Sequence, residues 1–263
     1  MVLKSVYIIP HGDEIISLPN EKSKIMNERI KEIARNDDSG TVVIISPHSI
    51  RLSKMIGVVN TEYLRGRLKI MDKTLMQLFM SDRILNSNII NGAEETEEII
   101  YMTDSGKNSV FPLDFGSMIP LYFFGKRKIS LIGQSRLKNR KMLIEFGRKL
   151  YRITESYQGT VSIIISADQA HTHSKYGPYG FSEYAKYYDQ LVIKSIRKND
   201  FSDIIDLDEK VIEEAKPDSY WNLLTFYGII NEANMAPNFI YYYIEKYFGM
   251  LLATSKWKNK KNL

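Results

Sequence analysis

A single α/β domain, with a central mixed and largely parallel sheet and helices on both faces, is the fold class this sequence predicts. Three observations carry the expectation. The runs Val6-Tyr7-Ile8-Ile9, Val42-Val43-Ile44-Ile45 and Val161-Ser162-Ile163-Ile164-Ile165 are continuously rather than alternately apolar and rich in β-branched residues, as strands buried on both faces are. The stretches between them carry apolar residues at helical spacing. No linker rich in Pro, Gly or Ser and no internal repeat divides the 263 residues, a length that suits one domain.

Along the chain, residues 6–9 give the first strand. Residues 20–35 give a helix with Ile25, Ile30 and Ile33 near one face. The second strand follows at 42–45. The stretch 86–109 is polar, acidic from Glu94 to Glu98, and has no readable period. Lys126-Arg127-Lys128 reads as a turn into a fourth strand, Ile129-Ser130-Leu131-Ile132. A helix over 140–153 turns Leu143, Phe146, Leu150 and Ile153 to one side, and the strand over 161–165 comes next. Ser182 is a credible N-cap for a helix to about residue 197, with Tyr184, Tyr188, Leu191 and Ile196 interleaved with charge. Asp218 or Ser219 caps another over 220–233, with Leu223, Leu224, Tyr227 and Ile230 inward. After Pro237, residues 239–254 read as paired strands about a turn near Lys246. The domain is expected to span 1–255, leaving 256–263 as a basic, flexible tail.

Composition narrows the function classes. At 44% hydrophobic and 25% charged residues, the chain is too apolar to be disordered. It lacks the run of about 18 apolar residues that a membrane helix needs. The most apolar late stretch, 239–253, is interrupted by Glu245 and Lys246. The start, Met1-Val2-Leu3-Lys4, passes into a strand pattern without the build of a signal peptide, so the cytoplasm is the expected compartment. The absence of cysteine excludes disulfides, thiolate metal sites and cysteine nucleophiles. The net charge of +5 is diffuse and has no accompanying stripe of basic and aromatic residues, so neither nucleic acid nor membrane is an expected partner.

The four histidines are the most informative residues. His11 follows the first apolar run, His48 the second, and His171 and His173 the third. In an open α/β sheet the carboxyl ends of the strands form the crevice where ligands bind. Parallel strands ending in His bring imidazoles to one rim, and Pro10 and Pro47 stiffen the backbone just ahead of the first two. A lone His after a strand is commonly a capping or surface residue; four at equivalent places argue for a shared metal or catalytic site. Two imidazoles and a carboxylate with open positions suit Fe(II) and oxygen chemistry, and zinc or another divalent ion binds such a set as well. The carboxylate candidates are Asp13, Glu14, Asp168, Asp218 and Glu232.

Several motifs occur in a familiar order: Ile9-Pro10-His11-Gly12-Asp13, Ser46-Pro47-His48, Pro112-Leu113-Asp114-Phe115-Gly116 with Ile119-Pro120-Leu121, and Asp168-Gln169-Ala170-His171-Thr172-His173 with Gly177-Pro178-Tyr179-Gly180-Phe181. The sequence resembles the class III extradiol ring-cleavage dioxygenases, specifically the catalytic B-type subunit of protocatechuate 4,5-dioxygenase, in a superfamily that also holds the Memo proteins. The resemblance implies that His11 and His48 bind Fe(II) and that His171 is the acid and base, with His173 as a neighbour able to assist. It places the third ligand ahead of the helix over 220–230, at Asp218, a residue that equally suits an N-cap. Asp168 would orient an imidazole or fix its loop, Asp13 would lie beside the site, and Tyr176, Tyr179 and Phe181 would border the substrate. Family members acting on carboxylated catechols tend to have His where this chain has Phe115, which points to a more apolar substrate. The expected partners are a small aromatic substrate and dioxygen, and the Tyr-rich C-terminal stretch suits a homodimer interface. A Memo-like protein without ring cleavage, a zinc-dependent hydrolase and a metal-free binding protein are the rival readings.

Overall fold

In the computed structural model, which describes residues 2–100, 110–136 and 139–258, the apolar runs are strands. The strands are β1 (Leu3–Ile9), β2 (Thr41–Ser46), β3 (Ile56–Val59), β4 (Tyr63–Ile70), β5 (Lys73–Met80), β6 (Thr96–Ile99), β7 (Val110–Pro112), β8 (Lys128–Gly133), β9 (Val161–Ser166), β10 (Met235–Glu245) and β11 (Phe248–Trp257). The helices are α1 (Glu14–Ser17), α2 (Glu21–Asn36), α3 (Arg83–Gly92), α4 (Phe115–Phe124), α5 (Arg140–Glu155), α6 (Glu183–Lys198), α7 (Ser202–Ile205), α8 (Glu209–Ala215) and α9 (Tyr220–Glu232). None of the helices among the described residues is long and apolar enough to cross a membrane.

Among the described residues, eight strands form the central sheet in the order β10-β11-β1-β9-β2-β8-β3-β6. Its middle, β1-β9-β2-β8, is parallel throughout. β11 runs antiparallel to β1, and β3 runs antiparallel to β8. The mixed, largely parallel sheet of the sequence reading is therefore present. Its continuous apolar runs divide by side-chain parity. Ile8, Val43, Ile45, Ile163 and Ile165 enter one core, beneath α5, α6 and α9. Ile9, Val42, Ile44 and Ile164 enter the other, with Met26 and Ile30 of α2 and Ile119 and Leu121 of α4.

Parallel register sets the site. Ile9 pairs with Ser166, and Ser46 with Gly133, so β1, β9, β2 and β8 end on one level. The segments leaving those ends carry His11, Asp168 with His171, His48, and Gln134 with Arg136. Sequence spacing alone thus delivers these side chains to one rim once the strands are parallel.

The helix starts have local causes. Asn20 caps α2 in a capping box with Ser23, Asn139 accepts from the Met142 amide, and Ser182 accepts from the Tyr184 amide. α5 and α9 cross with Gly147 against Gly228. A methyl group on Gly228 would overlap the Ile144 main-chain carbonyl, and one on Gly147 would overlap that of Thr225. Because backbone cannot yield as a side-chain tip does, Gly228→Ala is expected to destabilise the fold by about 2 kcal/mol. A lower urea midpoint with an unchanged slope would show it; an unchanged midpoint would contradict the close crossing.

Several expectations need correction. A second, three-stranded sheet, β5-β4-β7, was not foreseen, nor was α4 with Pro120 inside it. Within the unreadable stretch 86–109, residues 86–92 belong to α3 and 96–99 to β6, while 101–109 lie outside the described residues. Arg127 is more than a turn residue: its guanidinium pairs with the buried carboxylate of Asp37 and donates to the Asp37 carbonyl at 2.6 Å. Pro237 lies inside β10 rather than ahead of it, which is tolerated because β10 is an edge strand. Lys256 and Trp257, assigned to the tail, belong to β11 and pair with Ala236 and Met235 of β10; residues 259–263 lie outside the described residues.

Candidate metal centre and cavity

His11 leaves β1 with its main-chain amide donating to Asp168 Oδ1 at 3.0 Å. Its Nδ1 lies 2.9 Å from Ser166 Oγ, and that hydroxyl donates to the Gly116 carbonyl at 2.6 Å. With the hydroxyl proton so committed, Ser166 Oγ accepts from His11 Nδ1–H, and the neutral ring presents its Nε2 lone pair to the site. His48 leaves β2 on the solvent side, its side chain 28% exposed, and its Nε2 sits 3.1 Å from His11 Nε2. The ring of Phe115 covers the His48 ring at a centroid distance of 4.1 Å.

The start of α4 holds that wall in place. Asp114 caps the helix through the Ser117 amide at 2.9 Å and accepts from Ser46 Oγ at 2.7 Å. Gly116 permits the approach, since a Cβ there would stand 2.9 Å from both His48 Cδ2 and Ser46 Oγ. The motif around Phe115 thus ties the helix to the rim of β2.

Asp218 does not cap α9. The N-cap position is Ser219, without a side-chain cap bond. The Asp218 carboxylate turns into the site instead, with Oδ2 at 3.2 Å from His48 Nε2 and 3.6 Å from both His11 Nε2 and His171 Nε2. Its other oxygen takes Arg136 Nη2 at 3.0 Å, and its main-chain carbonyl takes Gln134 Nε2 at 2.6 Å. The Arg136 guanidinium in turn lies 4.7 Å above the Trp221 ring. One carboxylate oxygen is thereby engaged by a cation while the other faces three imidazoles.

His171 is fixed from both ends. Its amide donates to the Ala215 carbonyl at 2.8 Å, and its Nδ1 is 3.0 Å from the Lys216 carbonyl. A carbonyl only accepts, so Nδ1 carries the proton and the Nε2 lone pair faces Asp218. The ring stacks on Phe248 at 5.6 Å and 13°.

Electrostatics favours a cation here. Burial alone would lower the pKa of His11, yet Asp168, Asp218 and Asp114 together raise it above the ordinary histidine value. Burial acts to raise Asp218, but His11, His48 and His171 hold it well below the usual carboxylate range. Burial wins at Asp168, which is pushed up despite His11 and His171.

His11, His48 and Asp218 each offer one ligand atom, and these atoms all lie within 4.8 Å of one another. Of the other carboxylate candidates, Glu14 lies 3.1 Å from Lys246 Nζ and Glu232 is 2.8 Å from Arg152. Asp168 directs Oδ1 to the His11 amide, with Oδ2 3.4 Å from His11 Nε2. The site opens into a cavity of about 830 Å³ bordered by Asp13, Phe115, Tyr179, Trp221, Tyr247 and Phe248. Tyr176 and Phe181, 87% and 68% exposed, are not among its lining residues.

His173 is placed elsewhere. Its Nε2 lies 2.7 Å from Asp189 Oδ2, and Asp189 Oδ1 takes the Ala170 amide at 2.9 Å. This pair fastens the loop that carries His171, and His173 does not line the cavity. Sequence reasoning missed Arg136, Gln134, Trp221 and the Glu14–Lys246 pair. Arg136 and Gln134 were within reach of the rule that found the histidines, because they follow the fourth apolar run, Ile129-Ser130-Leu131-Ile132.

The family described as the catalytic LigB subunit of aromatic ring-opening dioxygenase matches residues 5–250. Protein CA_C1420 of Clostridium acetobutylicum is 25% identical over 234 residues, covering 82% of this chain and 49% of its own length. The chain thus spans about half the length of the curated relative it matches. An uncharacterized protein from Escherichia coli K12, JW3007, has a similar fold, with a TM-score of 0.65 at 14% identity over 95% of this chain and 98% of its own.

Proposed function

We propose that this chain, which belongs to the family of the catalytic LigB subunit of aromatic ring-opening dioxygenases, is a non-haem Fe(II) enzyme that opens the ring of a catechol-type aromatic with dioxygen. The observation that carries the reading is the convergence of His11 Nε2, His48 Nε2 and Asp218 Oδ2, with His171 Nε2 alongside. The donor chemistry fits a divalent ion. Two imidazoles and one carboxylate form the set that leaves positions open on non-haem iron, and Ser166 fixes His11 in the tautomer that a metal requires.

When bound, Fe(II) supplies the electron transfer between catechol and dioxygen that the paired-electron substrate and triplet oxygen do not achieve directly. The chain's own residues do the rest. His11, His48 and Asp218 hold the ion, and Arg136 and Gln134 orient Asp218 so that one oxygen faces inward. His171, with Nδ1–H committed to the Lys216 carbonyl, accepts a phenolic proton at Nε2 and returns it as the ring opens. Phe115 against His48, with Trp221, Tyr247 and Phe248, gives the substrate apolar walls. Both atoms of dioxygen enter the product, so no further oxidant or reductant is needed.

Anaerobically purified protein reconstituted with Fe(II) is expected to consume one dioxygen per catechol and to form a yellow ring-opened product, with uncarboxylated catechols preferred. Ester or amide hydrolysis by the zinc form, without oxygen uptake by the iron form, would replace this reading with that of a hydrolase. Tight iron binding without turnover on any catechol would favour a Memo-like role.

A further inference from the structure

The three-stranded sheet has two unlike faces. Inward, Leu64, Phe79 and Phe111 join the core that contains α4, and Leu68 reaches the cavity. Outward, register opposes Tyr63 to Met80, Arg65 to Leu78, Arg67 to Met76 and Lys69 to Thr74, and residues directly opposed in an antiparallel pair share a face. Two rows result, one strand spacing of about 4.8 Å apart. The row on β5 is apolar: Met76, Leu78 and Met80 are 69%, 54% and 58% exposed. The row on β4 is cationic: Arg65, Arg67 and Lys69 are exposed, and no ion pair among the described residues engages them. Isolated exposed apolar side chains are ordinary, whereas a contiguous row beside unpaired cations marks an interaction surface.

We propose that this face docks an amphipathic, acidic helix of a partner protein. The match is one of charge and shape. The hairpin over 63–80 carries Arg65, Arg67, Lys69 and Lys73 against a single acid, Asp72. A helix with an apolar stripe flanked on one side by carboxylates covers both rows at once. The stripe sits on Met76, Leu78 and Met80, and the flank reaches Arg65 and Arg67. The apolar row extends about 14 Å along β5, which about nine residues of helix span. A second copy of this chain is disfavoured, because it would bring a net charge of +5 to a cationic surface. A bilayer is disfavoured because, among the described residues, β5 is the outer strand of its sheet, and hydrocarbon would strand its outward main-chain groups without partners. The inference stands apart from the chemistry of the metal centre.

Fluorescence anisotropy tests it with a labelled peptide of about 18 residues, long enough to hold helix, bearing leucines on one face and glutamates along one flank. Saturable binding to the full chain is expected, weakening as salt rises. Arg65→Glu with Arg67→Glu, and separately Leu78→Gln, should each weaken binding at least about tenfold with unchanged circular dichroism, since all three side chains point outward. A peptide with lysines in place of glutamates should bind at least about tenfold more weakly. Absence of saturable binding, or equal binding of the lysine peptide, overturns the proposal. Binding of phosphatidylserine vesicles without peptide binding assigns the face to lipid and overturns it. So does a concentration-dependent dimer that Leu78→Gln abolishes, which would assign the face to self-association.

Discussion

Alanine at His11 or at His48 is expected to abolish tight binding of Fe(II), with a loss of affinity of at least about 100-fold, since even residues that only support a ligand cost roughly 10- to 100-fold. The two Nε2 atoms lie 3.1 Å apart and both face Asp218 Oδ2, so each variant removes one corner of a three-ligand set. Calorimetric titration and metal content after anaerobic loading measure the loss directly. Stability gives an independent readout. An ion that binds only the folded state raises the unfolding midpoint in proportion to the logarithm of its concentration over Kd, so the Fe(II)-induced rise of the parent protein should vanish in both variants. Asp218→Asn should behave similarly, because an amide donates where a carboxylate must bind and leaves Arg136 facing a neutral group. Full retention of metal in both histidine variants would remove the centre as described.

Much of this arrangement was legible before any coordinates. Strand identity came from continuous apolar runs such as Val42-Val43-Ile44-Ile45, and the meeting of His11, His48 and His171 followed from parallel register at the strand ends. Asp218 was harder. Its position before a helix is that of an ordinary N-cap, and only the turning of its carboxylate toward His48, with Ser219 taking the cap position, separates the two roles. His173 illustrates the reverse error. A spacing of two residues would keep both rings on one side of a regular strand, but the chain bends at His171, and His173 meets Asp189 instead. The small sheet was missed for a different reason. Its β4 strand, Tyr-Leu-Arg-Gly-Arg-Leu-Lys-Ile, alternates apolar with basic residues, a half-buried pattern that a search for continuous apolar runs passes over. Arg136 escaped because the strand ends were searched for histidine and it carries no motif, although Asp218 depends on it.

Alanine at His171 is expected to lower turnover by roughly 10²- to 10⁴-fold, the range that a positioned proton-transfer group supplies, while iron content stays at the parent level. The argument rests on how the ring is held. Its Nδ1 proton goes to the Lys216 carbonyl, its face lies on Phe248, and its amide is anchored on Ala215. The remaining lone pair therefore points into the cavity without rotational freedom. Removing the ring leaves His11, His48 and Asp218 with the partners that position them, Ser166, Phe115 and Arg136, so the loss should fall on kcat with KM little changed. His173→Ala is the informative contrast. Its imidazole supports Asp189 at the base of the same loop, so the expected result is a lower urea midpoint, with turnover per folded iron-loaded molecule kept within a few-fold of the parent. Iron loss in His171→Ala equal to that in His11→Ala would instead make His171 a fourth ligand. A His173→Ala variant that folds normally yet fails in turnover would return that residue to the chemistry.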